Sequence, residues 1–182
     1  MKATETKLKG CFLIEPQIFH DSRGYFFESF NTEKFERLTG QQGNFVQDNQ
    51  SASIFGTIRG LHFQKGESAQ AKLVRAIEGA VLDVAVDIRP DSETFGQWVA
   101  YELSAENNLQ LYVPRGFAHG FSVLTEKAVF AYKCDNLYDK AAEGGILYSD
   151  PTLVIDWRIP AGAELISEKD EALQPFEQVA QL

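Results

Sequence analysis

The 182-residue chain predicts a mainly β fold, a β-sandwich or barrel with a few short peripheral helices. Three observations lead there. Apolar and polar residues alternate through the middle of the chain, as in strands with one packed face. Gly, Pro, Asn and Asp break these runs at short, regular intervals, which leaves no room for crossover helices between parallel strands. Helix start and stop signals are few.

Taken in chain order, the clearest helix signal is Asn31-Thr32-Glu33-Lys34-Phe35-Glu36-Arg37-Leu38, with Asn31 as cap, Phe35 and Leu38 as an apolar pair, and Gly40 as the stop. It predicts a short helix at the periphery. A strand over 71–77 runs through Glu78-Gly79-Ala80, a connection of hairpin length, into a second strand over 81–89. In that second strand Leu82, Val84, Val86 and Ile88 share one face, while Val81, Asp83, Ala85, Asp87 and Arg89 share the other. One face should pack and the other carry charge. Further strands are expected over 96–103, 109–113, 120–124 and 128–134, the last placing Phe130, Tyr132 and Cys134 on one face. There is no repeat, low-complexity linker or break in composition, so 1–182 reads as a single domain large enough to bury its own core.

Composition narrows the function. The net charge of −9 opposes binding to nucleic acid or to an anionic membrane, and no stretch has the length and apolarity of a membrane span or a signal peptide. The expected location is cytoplasmic. Any anionic ligand must meet a local cluster of positive charge. Cys11 and Cys134 match neither a metal clip nor a disulfide framework and read as small core residues.

Arg59-Gly60-Leu61-His62-Phe63-Gln64 is the most informative stretch. Imidazole titrates near neutrality and guanidinium is the natural partner of phosphate or carboxylate, so the pair suggests acid–base chemistry on an anionic substrate. The same stretch also reads as a half-buried histidine in a strand beside a surface arginine. Pro114-Arg115-Gly116-Phe117-Ala118-His119-Gly120-Phe121 presents a second histidine at a strand start, again with a structural reading open. His62 and His119 are the residue type that holds metal in cupin-type barrels. The His-x-His pair such sites use is missing, and His20, the third histidine, falls in an expected loop, so no metal is expected. Tyr132 reads as core unless its cavity also holds a base, in which case its phenol can donate a proton from the opposite side. Asp21-Ser22-Arg23-Gly24-Tyr25-Phe26-Phe27-Glu28 joins a turn to an aromatic strand ending in Glu28, and Gln47-Asp48-Asn49 precedes a further strand. Asp170 follows an expected turn, where an aspartate is usually solvated.

Together, and in this order, these segments and the late Tyr148-Ser149-Asp150-Pro151 to Asp156-Trp157 resemble the dTDP-4-dehydrorhamnose 3,5-epimerase family over most of the chain. The resemblance implies a cupin-like jelly roll, a homodimer, catalysis with neither metal nor organic cofactor, and a dTDP-4-keto-6-deoxy sugar as substrate. It implies inversion of C3 and C5 of dTDP-4-dehydro-6-deoxy-D-glucose, on the route to dTDP-L-rhamnose. His62 would be the base, with Asp170 supporting its imidazolium and Asp83 as the alternative partner. Lys72 would stabilise the enolate at the C4 oxygen, and Tyr132 would return a proton to the other face. Arg23 and Arg59, assisted by Lys169, correspond to diphosphate contacts. Gln47, Asn49 and, more weakly, Asp48 correspond to contacts at the nucleotide end, Tyr138 to the residue that stacks on thymine, and Glu28, His119 and Glu143 to further substrate contacts. Relatives of the fold include enzymes that invert only C3 or only C5 and ketoisomerases. The alternatives outside this class are a metal-dependent cupin and a binding module without catalysis.

Overall fold

The computed structural model describes residues 1–179. In chain order it comprises β1 (Lys2–Glu5), β2 (Phe12–Glu15), β3 (Phe19–Asp21), β4 (Gly24–Phe26), α1 (Thr32–Thr39), β5 (Gln47–Ile54), β6 (Ile58–Gln64), β7 (Lys72–Glu78), β8 (Ala80–Asp87), β9 (Trp98–Ser104), β10 (Gln110–Val113), β11 (Phe117–Val123), β12 (Lys127–Cys134), β13 (Glu143–Gly145), α2 (Glu168–Glu171) and α3 (Phe176–Val179). Two antiparallel sheets face each other. One runs β1-β2-β10-β7-β12-β5, the other β13-β6-β11-β8-β9, and β3-β4 form a separate hairpin. The expected strands are present with ends shifted by up to three residues. The fold is the cupin-like sandwich the sequence implied. Among the described residues no helix is long and apolar enough to cross a membrane.

Three layers of apolar contact hold the fold. Between the sheets lie Val74, Val81, Ala85, Leu111, Phe117, Phe121, Val123 and Phe130, with Cys11 among them. Leu82, Val84 and Val86 point the other way, against Ile146, Leu153, Trp157 and Phe176 of the C-terminal segment. Outside the first sheet, Phe35 of α1 packs on Phe12, Leu73 and Tyr112. Asn31 caps α1 by accepting from the Lys34 N–H, and Gly40 ends it in the left-handed conformation. Leu38, the second half of the expected apolar pair, is instead 37 % exposed.

Two expectations are corrected here. β7 and β8 are not a hairpin, because they belong to different sheets and Gly79 carries the chain across the sandwich. Gly79 has φ +70°, and a Cβ there would sit 2.1 Å from the Lys127 carbonyl oxygen, so only glycine fits this corner. Nor does the polar face of β8 meet solvent. Every residue of β8 is buried, because the C-terminal segment covers one face and the opposite sheet covers the other. Asp83 and Asp87 are paired inside: Asp83 with His119, and Asp87 with Arg89, Ser92 and Thr94.

The C-terminal segment also closes the site. Leu165 bridges to Thr57, its carbonyl accepting from Ile58 N–H and its own N–H donating to Gly56. Further on, the Leu147 N–H donates to the Gln174 carbonyl, and Asp150 accepts from Phe176 N–H. Pinned at both ends, α2 lies beside β6.

Candidate active site

β6 belongs to one sheet; β5, β7 and β12 belong to the other. Their inward side chains enclose a cavity with two lobes that share His62, Lys72 and Tyr132. One lobe, about 270 Å³, adds Gln47, Asn49, Phe63, Gln64, Gln70, Cys134, Tyr138 and Glu143. The other, about 300 Å³, adds Ser51, Arg59, His119, Phe121, Phe130, Ser167, Lys169 and Asp170. Strand alternation sorts these residues. In β5 the odd positions turn inward and the even ones outward, so Gln47 and Asn49 reach the cavity while Asp48 lies on the outer face, paired with Lys133 Nζ at 2.8 Å. Asp48 therefore points away from this cavity. On β12 the same alternation brings Phe130, Tyr132 and Cys134 inward together, as expected.

His62 Nε2 lies 2.8 Å from Asp170 Oδ1, and the second oxygen of Asp170 accepts from the Gly60 N–H. The expected solvated aspartate is thus a buried one on the first turn of α2, where Ser167 caps its N–H. Burial pushes the Asp170 carboxyl upward, but its hydrogen bond to His62, the His62 charge, the Gly60 N–H and nearby Lys169 outweigh that and hold it below the ordinary carboxylate range. Asp83, the alternative partner, bonds His119 instead, Oδ2 to Nε2 at 2.9 Å. His62 and His119 are direct cross-strand neighbours on β6 and β11. The close approach of those strands needs glycine, since a Cβ on Gly60 would lie 2.6 Å from Gly120 Cα.

Tyr132 stands on the wall opposite His62. Burial, then the neighbouring Cys134, raises the pKa of its phenol, with Arg59 acting weakly the other way, so it stays protonated at neutral pH. Lys72 shares the wall of Tyr132, and no carboxylate lies within ion-pair distance of it among the described residues. Its burial lowers the ammonium pKa, with Cys134, Asp83 and Glu143 pulling weakly upward. Among the described residues Arg59 has one side-chain partner, Ser53 Oγ at 3.1 Å, which leaves its terminal NH2 groups for a ligand. At the mouth Tyr138 donates to Glu143, and Glu143 meets Lys169 Nζ at 2.6 Å. Gln47 Oε1 accepts from the Tyr138 N–H and Gln64 holds residues 137 and 139 by backbone bonds, so the mouth is fixed to both sheets.

Arg23 and Glu28 are not brought into this cavity. Arg23 sits in the β3-β4 hairpin, paired with Asp21 at 2.6 Å, and Glu28, which lies beyond β4 rather than at its end, pairs with Lys34. His20, expected in a loop, is in β3. Sequence reasoning missed Ser53 and Gln64 as anchors. Extending the inward register of β5 from Gln47 through Asn49 and Ser51 to Ser53 would have found the first. No group of three or more His, Cys, Asp or Glu side chains arranged to hold a metal occurs among the described residues.

A partly exposed imidazole backed by a buried carboxylate faces a protonated phenol across the cavity, and on the phenol's side stands an ammonium with no ion-pair partner among the described residues. Such a set can take a proton from one side of a carbon acid, stabilise the anion and return a proton from the other.

A protein-family model described as dTDP-4-dehydrorhamnose 3,5-epimerase matches residues 5–178. The enzyme of that name from Salmonella typhimurium is 51% identical over 178 residues, covering 98% of this chain and 97% of the relative. The crystal structure of dTDP-4-dehydrorhamnose 3,5-epimerase from Elizabethkingia anophelis superposes with a TM-score of 0.95 at 58% identity, covering 98% of this chain and 97% of that one. A Legionella pneumophila dTDP-6-deoxy-D-glucose-3,5-epimerase in complex with dTDP-4-keto-L-rhamnose superposes with a TM-score of 0.93 at 46% identity, covering 97% of this chain and 93% of that one. With its cupin-like sandwich and two-lobed cavity, the chain belongs to the dTDP-4-dehydrorhamnose 3,5-epimerase family.

Proposed function

We propose that the cavity binds dTDP-4-dehydro-6-deoxy-D-glucose and that the enzyme inverts both C3 and C5 to give dTDP-4-dehydro-β-L-rhamnose. The observation that carries this reading is the placement of His62–Asp170 and Tyr132 on opposite walls of one cavity. Asp170 occupies Nε2, so Nδ1 is the nitrogen left to remove the proton. Asp170 then supports the imidazolium. The C–H electron pair moves toward the C4 oxygen, where Lys72 offsets the developing negative charge. Tyr132 gives its phenolic proton to the opposite face of the enolate, which inverts the centre. Solvent resets both groups, His62 losing a proton and Tyr132 regaining one. C3 and C5 flank the same carbonyl, so one base, one cation and one acid serve both.

Arg59, with Lys169 nearby, gives the lobe lined by His119 its positive charge for the diphosphate, which answers how a chain of net charge −9 takes an anionic substrate. Gln47, Asn49, Tyr138 and Glu143 line the other lobe and fit the nucleotide end, Tyr138 by stacking on the base. No step calls for a metal or organic cofactor. A homodimer fits the exposed β3-β4 hairpin, where Phe19, Tyr25 and Phe26 are 54%, 58% and 69% exposed. It also gives Arg23 and Glu28 a second cavity to serve, since they do not line their own. In D2O the wild-type enzyme should place deuterium at both C3 and C5 of the product, located by NMR. Label at one carbon only would make this a single-centre epimerase.

A further inference from the structure

The segment from Tyr148-Ser149-Asp150-Pro151 to Asp156-Trp157 takes no part in the chemistry, yet it is tightly built. It closes on itself, the Trp157 indole N–H donating to the Tyr148 carbonyl at 2.8 Å. Two strands fasten it to the sandwich: Trp98 of β9 donates to the Leu153 carbonyl and Ser122 of β11 to the Trp157 carbonyl. Leu153 and Trp157 pack against β8. Asp150 sits inside this loop, 3% exposed, and both its oxygens are used. Oδ1 accepts from the Thr152 and Leu153 N–H groups and holds the loop's own turn. Oδ2 reaches out of the loop and accepts from the Phe176 N–H at 2.8 Å. Phe176 lies just beyond α2, the turn that carries Asp170.

We propose that Asp150 is a positioning residue for the base: through Phe176 it fixes the C-terminal end of α2, and so holds the Asp170 carboxylate on His62. The inference rests on reading His62–Asp170 as the base and its support. α2 is a single turn of four residues, too short to keep a shape of its own, so its place is set by what holds its two ends. The leading end is held by Leu165, bonded to Gly56 and Ile58. Past the trailing end, among the described residues, two hydrogen bonds tie the chain back to the body of the fold. These are Leu147 N–H to the Gln174 carbonyl and Phe176 N–H to Asp150, and both partners stand at the start of the same fastened loop. Asp170 must meet His62 Nε2 at 2.8 Å and the Gly60 N–H at 3.2 Å together. A shift of about 1 Å in such a group can cost about 10²-fold in rate. Asp150 lines neither lobe of the cavity, so its loss should act on the chemical step and spare binding.

Asp150→Asn keeps the size of the side chain and one oxygen. That oxygen can still hold the turn at 152 and 153, which sets the new NH2 group against the Phe176 N–H. The variant should lower kcat by about 10- to 100-fold. KM for the nucleotide sugar and the Kd for dTDP should stay within about threefold, since Lys169 on the same turn is an exposed side chain held separately by Glu143. Asp150→Ser, whose hydroxyl can cap the turn but is too short to reach Phe176, should show the same split. A double-mutant cycle supplies the readout that a merely structural role would not move. Added to Asp170→Asn, Asp150→Asn should change kcat by no more than about threefold, because the group it positions is already lost. Wild-type kcat in folded Asp150→Asn overturns the proposal, as does an equal loss in both backgrounds or a parallel loss of dTDP affinity. Failure of both Asp150 variants to fold would make this a bond for the whole fold and would also overturn it. Asp170→Asn alone separates the two levels. If it turns over like the wild type, the reading of His62–Asp170 fails; if it is slow while Asp150→Asn is not, only the role of Asp150 fails.

Discussion

At the scale of single residues, the site divides between what alternation reveals and what only folding brings together. Gln47 and Asn49 facing inward with Asp48 facing out follows from a period of two, as does the shared face of Phe130, Tyr132 and Cys134. The His62–Asp170 contact could not be seen that way, because it joins residues 108 apart through a C-terminal segment with no strong pattern of its own. Two variants test the roles given to these side chains. Asp170→Asn should lower kcat by about 10²- to 10⁴-fold with KM little changed, the range typical of losing acid–base assistance. Steady-state kinetics on protein with an unchanged circular dichroism spectrum will show it. Tyr132→Phe removes the proton for the second face and leaves the base. Substrate incubated with it in D2O should become deuterated with retained configuration, and NMR will show label without epimerised product.

At the scale of elements, β8 shows how a correct strand can mislead about burial. Its alternation of apolar and charged residues is real, yet the charged face lies between the sheets, where each carboxylate finds a partner. Alternation tells faces apart and says nothing of what covers them. Asp87 makes this measurable. Burial alone would raise its carboxyl, but Arg89, Ser92 and Thr94 together bring it from 3.8 down to about 2. A group depressed in the folded state adds stability above its unfolded pKa and loses it as pH falls, here between pH 4 and 2. The shift corresponds to about 2 kcal/mol. Asp87→Asn should therefore cost about that much at pH 7 and flatten the acid limb over that window, measured by denaturant melts at several pH values. Gly79 offers a second check on the corner between β7 and β8. Gly79→Ala meets both a positive φ and the Lys127 carbonyl, and should cost about 2 kcal/mol or more in the same assay.

At the scale of the whole molecule, the sandwich was legible from strand spacing, while its layering was not. The hairpin expected at 78–80 is a crossing between sheets, because a three-residue link containing glycine suits either connection and only the pairing of distant strands decides. The exposed aromatic hairpin carries the expectation of a homodimer. Light scattering should give a solution mass of twice the 20.4 kDa chain, and Phe26→Glu should weaken that association without unfolding the subunit. The proposed mechanism gives His62 the role of sole, metal-free base. It is tested most directly by incubating His62→Asn with dTDP-4-dehydro-6-deoxy-D-glucose in D2O and following deuterium at C3 and C5 by NMR. A folded variant should show no uptake at either carbon beyond that of substrate alone. Uptake at the wild-type rate would contradict it and remove His62 as the base.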